Sequence, residues 1–322
     1  SDKTHDAIVW GQGSEQQQRN KSEDKKANTK PVTAELGNVS PVMLVPGPYN
    51  DRQLRAQAEM LVADLTMNAS FLCCSAKILL LPKGWDGSTK FLKYLRELLN
   101  KIPPRKAYYP GAFSRWEKFR SSRNDVETIG QRDAVHLPWT IFNNIDLEND
   151  PVCHEEPFCS IISIAYVGDS DPENFLSAAV AAANDKLWGN LVATLIVHPK
   201  VQKTRKPVPF FDMAVRKLRY GTVSINAFSG MSFVFGSTPW GAYPGMDAKD
   251  IQSGRGFVHN TMMLEGIEKC VMSWPLTMFP KPGYYPTHSR SHKLLRKLVR
   301  LEAKQSPLKL PGVVTEALIG SV

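Results

Sequence analysis

Two adjacent cysteines stand at a junction between a predicted helix and a predicted strand. Cys73 and Cys74 follow an amphipathic stretch over residues 51–67 and precede an apolar run over residues 76–81. A thiol at such a junction can be exposed and oriented by backbone groups, as a nucleophile must be. Cysteine is also among the residue types most often buried, so inert packing is the alternative. Position alone leaves both interpretations open.

A glutamate upstream stands at the predicted end of a strand. Glu35 lies between a β-branched pair at residues 32–33 and Gly37, and functional side chains often project from strand ends. An ordinary exposed carboxylate in a loop is the alternative, and the residue type alone favours it. A whole predicted helix separates Glu35 from Cys73, so only the fold can bring the two side chains together.

The composition is that of a globular protein with room for two domains and a large core. The chain has 322 residues, of which 42% are hydrophobic and 22% are charged. No apolar run approaches the roughly 18 residues that a membrane span needs, and no signal peptide opens the sequence. The five cysteines are odd in number and form no CxxC pair. They predict a reducing, cytoplasmic environment and neither a disulfide framework nor a metal site.

The net charge of +9, from 40 basic and 31 acidic residues, suggests an anionic partner such as nucleotide phosphates or nucleic acid. A solvated surface with a basic tail explains the same charge. The sequence contains no zinc-finger or RNP-like motif, and its aromatic residues are not interleaved with the basic clusters. We therefore predict no nucleic-acid partner.

The middle of the chain predicts a parallel sheet. An apolar strand over residues 161–167, a helix over 171–187 and a strand over 191–197 form a βαβ pattern. Further helices are predicted over 88–100, 113–119 and 209–219, and further strands over 42–45 and 222–225. The loop over 226–256 is too long for a plain connection, which is typical of functional loops.

The C-terminal segment is rich in proline and then becomes basic and amphipathic over residues 289–304. Packing on the body of the protein with a solvated basic face is the favoured interpretation. Contact with an anionic membrane surface through this helix is the weaker alternative.

Several short motifs follow one another in an order found in a known protein superfamily. They are Lys30 to Pro41, Asn68 to Cys73, His154 to Phe158, Gly221 to Asn226, and the separated pair Pro239–Gly241 and Gln252–Gly256. They resemble the family's Glu-Leu-Gly-Gly, Asn-x-Gly-Gln-x-Cys and Glu-Glu-Ile-Phe-Gly-Pro motifs, its strand that ends in asparagine, and the two halves of Pro-Phe-Gly-Gly…Ser-Gly-x-Gly-Arg. The chain thus resembles the C-terminal portion of the aldehyde dehydrogenase superfamily, from about residue 8 to about residue 269.

The resemblance implies an NAD- or NADP-dependent oxidation of an aldehyde to a carboxylate. Cys73 would be the nucleophile, and Glu35 the general base that activates water. Residues implied to bind the nicotinamide end of the cofactor are Glu156, Phe158 and Gly37. Residues implied to contact the aldehyde are Asn68, Phe71, Trp240 and Asn226.

The sequence departs from the family pattern beside these residues. Ser70–Phe71 replace Gly-Gln, Asn38 replaces the second glycine after the base, and Cys159–Ser160 replace Gly-Pro. These changes predict a narrower pocket or altered backbone geometry. A catalytically silent relative that acts as a scaffold or interaction protein is the alternative function.

The expected fold is α/β, with an aldehyde dehydrogenase-like parallel-sheet catalytic domain over residues 38–258. A remnant of a Rossmann-type cofactor domain precedes it over 1–37, with one or two strands predicted around residues 8–9 and 32–33. A Pro-rich, basic extension follows over 259–322. Because the family's first half has no counterpart here, we expect a fragment, a truncated product or half of a split enzyme. A complementing N-terminal half or a homo-oligomer is the expected protein partner.

Overall fold

The structure, a computed structural model, describes residues 1–121, 123–203 and 209–321. Twelve strands and twelve α-helices are described in these ranges. The strands are β1 (Ala34–Glu35), β2 (Ser40–Leu44), β3 (Ala76–Pro82), β4 (Val126–Ile129), β5 (Trp139–Phe142), β6 (Ile161–Val167), β7 (Val192–Ile196), β8 (Thr222–Ile225), β9 (Trp240–Gly241), β10 (Gly254–Arg255), β11 (Phe257–Val258) and β12 (Cys270–Ser273). The helices are α1 (Asp2–Val9), α2 (Ser14–Ser22), α3 (Asp51–Thr66), α4 (Asp86–Leu99), α5 (Ala112–Arg120), α6 (Pro151–His154), α7 (Pro172–Lys186), α8 (Pro199–Gln202), α9 (Phe210–Lys217), α10 (Met231–Val234), α11 (Ser291–Lys304) and α12 (Leu310–Gly320).

Eight strands form the central sheet, in the order β12-β8-β7-β2-β3-β6-β5-β4. All neighbouring pairs are parallel except β4–β5, which is antiparallel at the edge. The central strands β2, β3 and β7 are buried along their whole length. Such continuous apolar strands are typical of a parallel sheet with helices on both faces. The predicted α/β fold is confirmed.

Side chains that alternate along each central strand divide the core between the two faces of the sheet. On one face Val42 and Leu79 pack with apolar side chains of α3 and α4. On the other face Met43 and Leu80 pack with side chains of α5, α7 and α9. Successive residues of a strand point to opposite sides of the sheet. Each central strand therefore contributes alternate side chains to both cores.

The N-terminal segment corrects one expectation. Residues 8–9 were predicted to form a strand, yet they end helix α1, whose first turn is capped by the Ser1 side chain. Their apolar surface is buried by docking rather than by strand pairing: Val9 and Trp10 pack on Ala248, and the Trp10 indole nitrogen donates to the Ala248 carbonyl at 3.0 Å. Residues 32–33 are also outside any strand.

The sheet continues beyond residue 258. Strand β12 lies in the segment predicted as a C-terminal extension, and it pairs in parallel with β8 at the edge of the sheet. The predicted basic helix is confirmed as α11, and a second helix, α12, follows it. The domain boundaries themselves stay a prediction. No helix within the described residues has the length and apolar character to cross a membrane.

Candidate active site

Three of the predicted site residues precede neighbouring strands of the sheet. Glu35 lies upstream of β2, Cys73 upstream of β3 and Glu156 upstream of β6. These strands are adjacent and parallel, in the order β2-β3-β6. Their amino ends therefore lie at the same edge of the sheet, and the segments that enter them lie side by side.

Glu35 is held by a short antiparallel strand pair. Strand β1 pairs with β10, and the Leu36 N–H donates to the Ser253 carbonyl at 2.8 Å. Gly254 has φ +128°, and a Cβ there would overlap the Ala34 carbonyl, so only glycine allows this approach. The Ser-Gly sequence in this motif thus fixes the strand that carries Glu35.

The Glu35 carboxylate lies close to both the Cys73 thiol and the Trp240 indole. Although Glu35 as a whole residue is exposed, loss of part of the water around its carboxylate raises its pKa, while the Cys73 thiol and the Trp240 indole oppose that rise. Trp240 is buried in strand β9, where Phe233 packs on its ring at a centroid distance of 5.5 Å. Base, thiol and indole, predicted separately from three motifs, are neighbours in the fold.

Cys73 lies in a turn that is closed by a hydrogen bond from the Ser75 N–H to the Leu72 carbonyl at 3.1 Å. Its thiol is half-buried, whereas Cys74 is buried and its sulfur lies beside Gly230. Contact with the Cys74 thiol, burial and the Glu35 carboxylate all raise the pKa of Cys73. In this arrangement Cys73 carries its proton, so a base must remove it before the sulfur attacks.

Replacing Glu35 with glutamine should accelerate alkylation of Cys73 by iodoacetamide. The thiolate is the reacting form, and removing a neighbouring negative charge lets the thiol ionise at lower pH. The pH profile of labelling should therefore shift to lower pH, as measured by peptide mapping after timed exposure. Glu302→Gln, at an exposed glutamate of α11, should leave the profile unchanged.

Two outcomes would contradict this assignment. One is an unshifted profile in Glu35→Gln. The other is preferential labelling of Cys74, Cys153 or Cys270 in the unmodified chain, which would place the reactive thiol elsewhere.

Three consecutive residues before Cys73 have left-handed backbone. Asn68, Ala69 and Ser70 have φ values of +49°, +55° and +68°. This conformation costs non-glycine residues roughly 1–2 kcal/mol each. Ser70 stands where the motif has glycine, so the glycine-like backbone is retained without the glycine. Asn68 is exposed, and its carbonyl accepts a hydrogen bond from the Phe71 N–H at 3.1 Å.

A buried lysine holds this strained segment. Lys77 in β3 is 1% exposed, and its Nζ donates to the Ser70 hydroxyl at 2.7 Å and to the Ser70 carbonyl at 2.9 Å. Burial lowers the pKa of Lys77, while the neighbouring Glu156 carboxylate opposes that shift. A role for Lys77 was not predicted, because the residue lies within an otherwise apolar run over residues 76–81. A single charge inside that run was the available signal.

Glu156 lies against Gly37, where any Cβ would overlap its carboxylate. Burial raises the pKa of Glu156 to about 8, opposed by the charge of Lys77 and by the Asn38 N–H. Its Oε1 is buried without a hydrogen-bond partner, as are two guanidinium nitrogens of Arg115. Unpaired buried polar atoms are rare, and a polar ligand at this position would satisfy them.

An aromatic cluster lies next to Glu156. The ring of Phe158 is 5.8 Å from that of Phe71 and 4.8 Å from that of Tyr109, between ring centroids. The Arg115 guanidinium lies over the Phe158 ring at 5.8 Å. Phe71 is 5% exposed, so the ring that replaces a polar glutamine in the motif is packed into the wall of the site.

Asn226 lies apart from the other predicted site residues. It follows the carboxyl end of β8, the end opposite to the one at which the segments of Glu35 and Cys73 enter the sheet. Its amide accepts from the Val197 N–H at 2.8 Å and donates to the Val197 carbonyl at 3.0 Å. Both polar groups therefore join the ends of β7 and β8, and substrate contact by Asn226 stays a prediction.

Asn38, another departure from the motif, has a structural role. Its amide nitrogen donates to the Ser40 hydroxyl at 3.0 Å and to the Val192 carbonyl at 2.9 Å. It thus links the segment after Glu35 to the start of β7. The described part of the chain contains no group of three or more histidine, cysteine or acidic residues that could hold a metal ion.

Solved aldehyde dehydrogenases have the same fold. An indole-3-acetaldehyde dehydrogenase in complex with NAD+ is 19% identical, with a TM-score of 0.58, over 81% of this chain and 48% of its own. A gamma-glutamyl-gamma-aminobutyraldehyde dehydrogenase from Burkholderia cenocepacia is 20% identical, with a TM-score of 0.57, over 78% of this chain and 48% of its own. An NADP-dependent glyceraldehyde-3-phosphate dehydrogenase from Bacillus halodurans is 18% identical, with a TM-score of 0.56, over 75% of this chain and 47% of its own.

These similarities confirm, at the level of fold, the family resemblance expected from the motifs. The chain spans about half the length of the solved structures that it matches. No protein-family model matches the sequence, and no curated protein sequence does.

Proposed function

We propose that this chain carries the cysteine centre of an NAD- or NADP-dependent aldehyde dehydrogenase, with Cys73 as nucleophile and Glu35 as general base. The observation that carries the proposal is the proximity of the Glu35 carboxylate to the Cys73 thiol and the Trp240 indole. A protonated thiol near a carboxylate of raised pKa is suited to proton transfer. As the sulfur begins to bond to the aldehyde carbon, the thiol becomes more acidic and its pKa approaches that of the carboxyl group. The fold shared with solved aldehyde dehydrogenases supports the same reaction class.

The first step forms a bond between the Cys73 sulfur and the aldehyde carbon. The thiol proton passes to the Glu35 carboxylate, and the carbonyl electrons move to oxygen to give a thiohemiacetal oxyanion. The Cys73 N–H is our candidate donor to that oxyanion. With a nicotinamide bound as hydride acceptor, the oxyanion would re-form its carbonyl and give up hydride, which leaves a thioester on Cys73. After Glu35 has released its proton, it takes one from water, which attacks the thioester and leaves a carboxylate and the free thiol.

The residues around Glu156 fit the nicotinamide end of a dinucleotide. The unpartnered Oε1 of Glu156 can accept a hydrogen bond from a ribose hydroxyl, and Gly37 provides the close approach beside it. Phe158 offers an aromatic surface next to that position. When bound, the nicotinamide supplies the hydride acceptor. Two of the solved structures named above were crystallised with a cofactor, the indole-3-acetaldehyde dehydrogenase with NAD+ and the glyceraldehyde-3-phosphate dehydrogenase with NADP.

A second candidate function is a catalytically silent relative that binds other proteins. The observation that favours it is the packing of Phe71 against Tyr108, Tyr109 and Phe158, which fills the position of a polar glutamine in the motif with a buried aromatic cluster. The raised pKa of Cys73 also favours a silent protein, because the protonated thiol is unreactive unless Glu35 removes its proton.

Trapping of an acyl group distinguishes the two functions. After reaction with p-nitrophenyl acetate and rapid acid quenching, we expect an acetyl group on the peptide that contains Cys73, measured by mass spectrometry. The Cys73→Ala chain should carry none, and Cys270→Ser, at another half-exposed cysteine, should be labelled like the unmodified chain. An unacylated Cys73 in a folded chain would favour the silent relative.

A further inference from the structure

Helix α12 has inverted polarity. Its one charged residue, Glu316, faces inward, where it accepts hydrogen bonds from Lys297 at 2.7 Å and from Arg290 at 3.1 Å. Leu310, Val314 and Leu318 are instead exposed. Their spacing of four residues places them on one side of the helix. A helix that buries its charge and exposes its leucines is suited to an apolar environment on its outer side.

The apolar surface extends beyond α12. The C-terminal hairpin, as we name residues 291–320, comprises α11, a connecting turn and α12, which are joined by the Lys297 contact with the Gly312 carbonyl at 3.3 Å. Leu308 in the turn is 91% exposed and Val299 on α11 is 66% exposed. In all, seven large apolar side chains of the hairpin are exposed: Leu295, Val299, Leu308, Leu310, Val314, Leu318 and Ile319.

Basic side chains accompany this surface. The hairpin has six lysine and arginine residues and two glutamates. One glutamate, Glu316, is already paired with Lys297 and Arg290. Lys293, Arg296 and Arg300 are exposed at spacings of three and four residues, on one side of α11. The exposed surface of the hairpin thus combines apolar side chains with positive charge.

We infer that the C-terminal hairpin docks on the surface of an anionic lipid bilayer. The exposed leucines and valines would enter the boundary between headgroups and acyl chains, and the lysines and arginines would contact anionic headgroups. Helices of 14 and 11 residues are too short to span a bilayer, so they would lie in its plane. The bilayer satisfies both the apolar surface and its positive charge, whereas a second copy of this basic hairpin would repel the first.

Vesicle co-sedimentation of the whole chain tests this inference. We expect binding to phosphatidylcholine vesicles that contain phosphatidylserine, weaker binding without it, and loss of binding as salt is raised. Lys293→Gln, Arg296→Gln and Arg300→Gln together should lower partitioning to the anionic vesicles roughly a hundredfold, because each basic residue contributes roughly fivefold. Val314→Ser with Leu318→Ser should lower it at least about tenfold.

Met262→Ser with Met263→Ser is the matched control. These methionines are 96% and 80% exposed but lie outside the hairpin, so binding should not change. Circular dichroism establishes that each variant is folded. The inference is overturned if the chain does not bind anionic vesicles, or if folded hairpin variants bind as the unmodified chain does. A concentration-dependent dimer that Val314→Ser with Leu318→Ser abolishes, without vesicle binding, would assign the surface to a second copy instead.

Discussion

Glu35→Gln should reduce ester hydrolysis by this chain to a single burst. Acylation of Cys73 by p-nitrophenyl acetate survives, because the glutamine amide has no charge that opposes the thiolate, so the thiol can ionise to solvent water without Glu35. Hydrolysis of the resulting thioester fails, because no carboxylate remains to take a proton from water. General bases contribute roughly 10²–10⁴-fold, so the steady-state rate should fall by that factor while one p-nitrophenol per chain is still released.

The pH dependence of the unmodified chain follows from the same carboxylate. Glu35 acts as a base only when ionised, and its pKa is raised by the loss of surrounding water. Steady-state hydrolysis should therefore rise with pH over a range above the ordinary titration of glutamate, as Glu35 loses its proton. Glu35→Gln should lack this rise.

Two cysteine variants serve as controls. Cys73→Ala should lose both the burst and the steady state, whereas Cys74→Ala should retain both, since Cys74 is buried beside Gly230. Unchanged steady-state hydrolysis in a folded Glu35→Gln chain would show that another group activates the water.

The purified chain by itself should form no NADH or NADPH from short or long aldehydes. Dinucleotide sites in doubly wound sheets hold the pyrophosphate at a helix N-terminus that follows a parallel strand. In this structure the described residues before β2 form α1, α2 and β1, and β1 pairs antiparallel with β10. That segment provides no such turn.

Absorbance of the reduced nicotinamide measures this result, with ester hydrolysis by the same preparation as the control for an active thiol. Steady formation of NADH or NADPH that disappears in Cys73→Ala would show that residues 1–37 and the rest of this chain hold the cofactor after all.

The elements that carry their own hydrophobic period were predictable from the sequence. Helices α3, α4 and α7 and strands β6, β7 and β8 lie within a residue or two of their predicted ranges. The strand predicted at residues 8–9 was wrong, because two apolar residues are too few to show a helical or a strand period. The position of this segment depends instead on the contact between Trp10 and Ala248, which are far apart in the sequence. The edge strand β12 likewise depends on pairing with β8, which the sequence of β12 does not indicate.

In the candidate site, too, the residue types were predictable from the sequence, whereas the contacts between them were not. Its residue types came from motifs, and parallel strands explain why the segments of Glu35, Cys73 and Glu156 lie at one edge of the sheet. The contact between Glu35 and Cys73 depends on β1 pairing with β10, more than 200 residues downstream. The role of Lys77 escaped notice because a buried charge is defined by its acceptors, and one of them, the Cys159 carbonyl, is remote in the sequence.

The hydrogen bonds from Lys77 to Ser70 constrain how this protein can change. A glycine at position 70 would relieve the left-handed backbone but would remove the hydroxyl that the buried ammonium contacts. An apolar residue at position 77 would leave the Ser70 carbonyl and hydroxyl unsatisfied. Either step alone is unfavourable, while the two together restore a consistent interior. Positions 70 and 77 are therefore expected to covary among homologues, serine with lysine and glycine with a residue that needs no such acceptor.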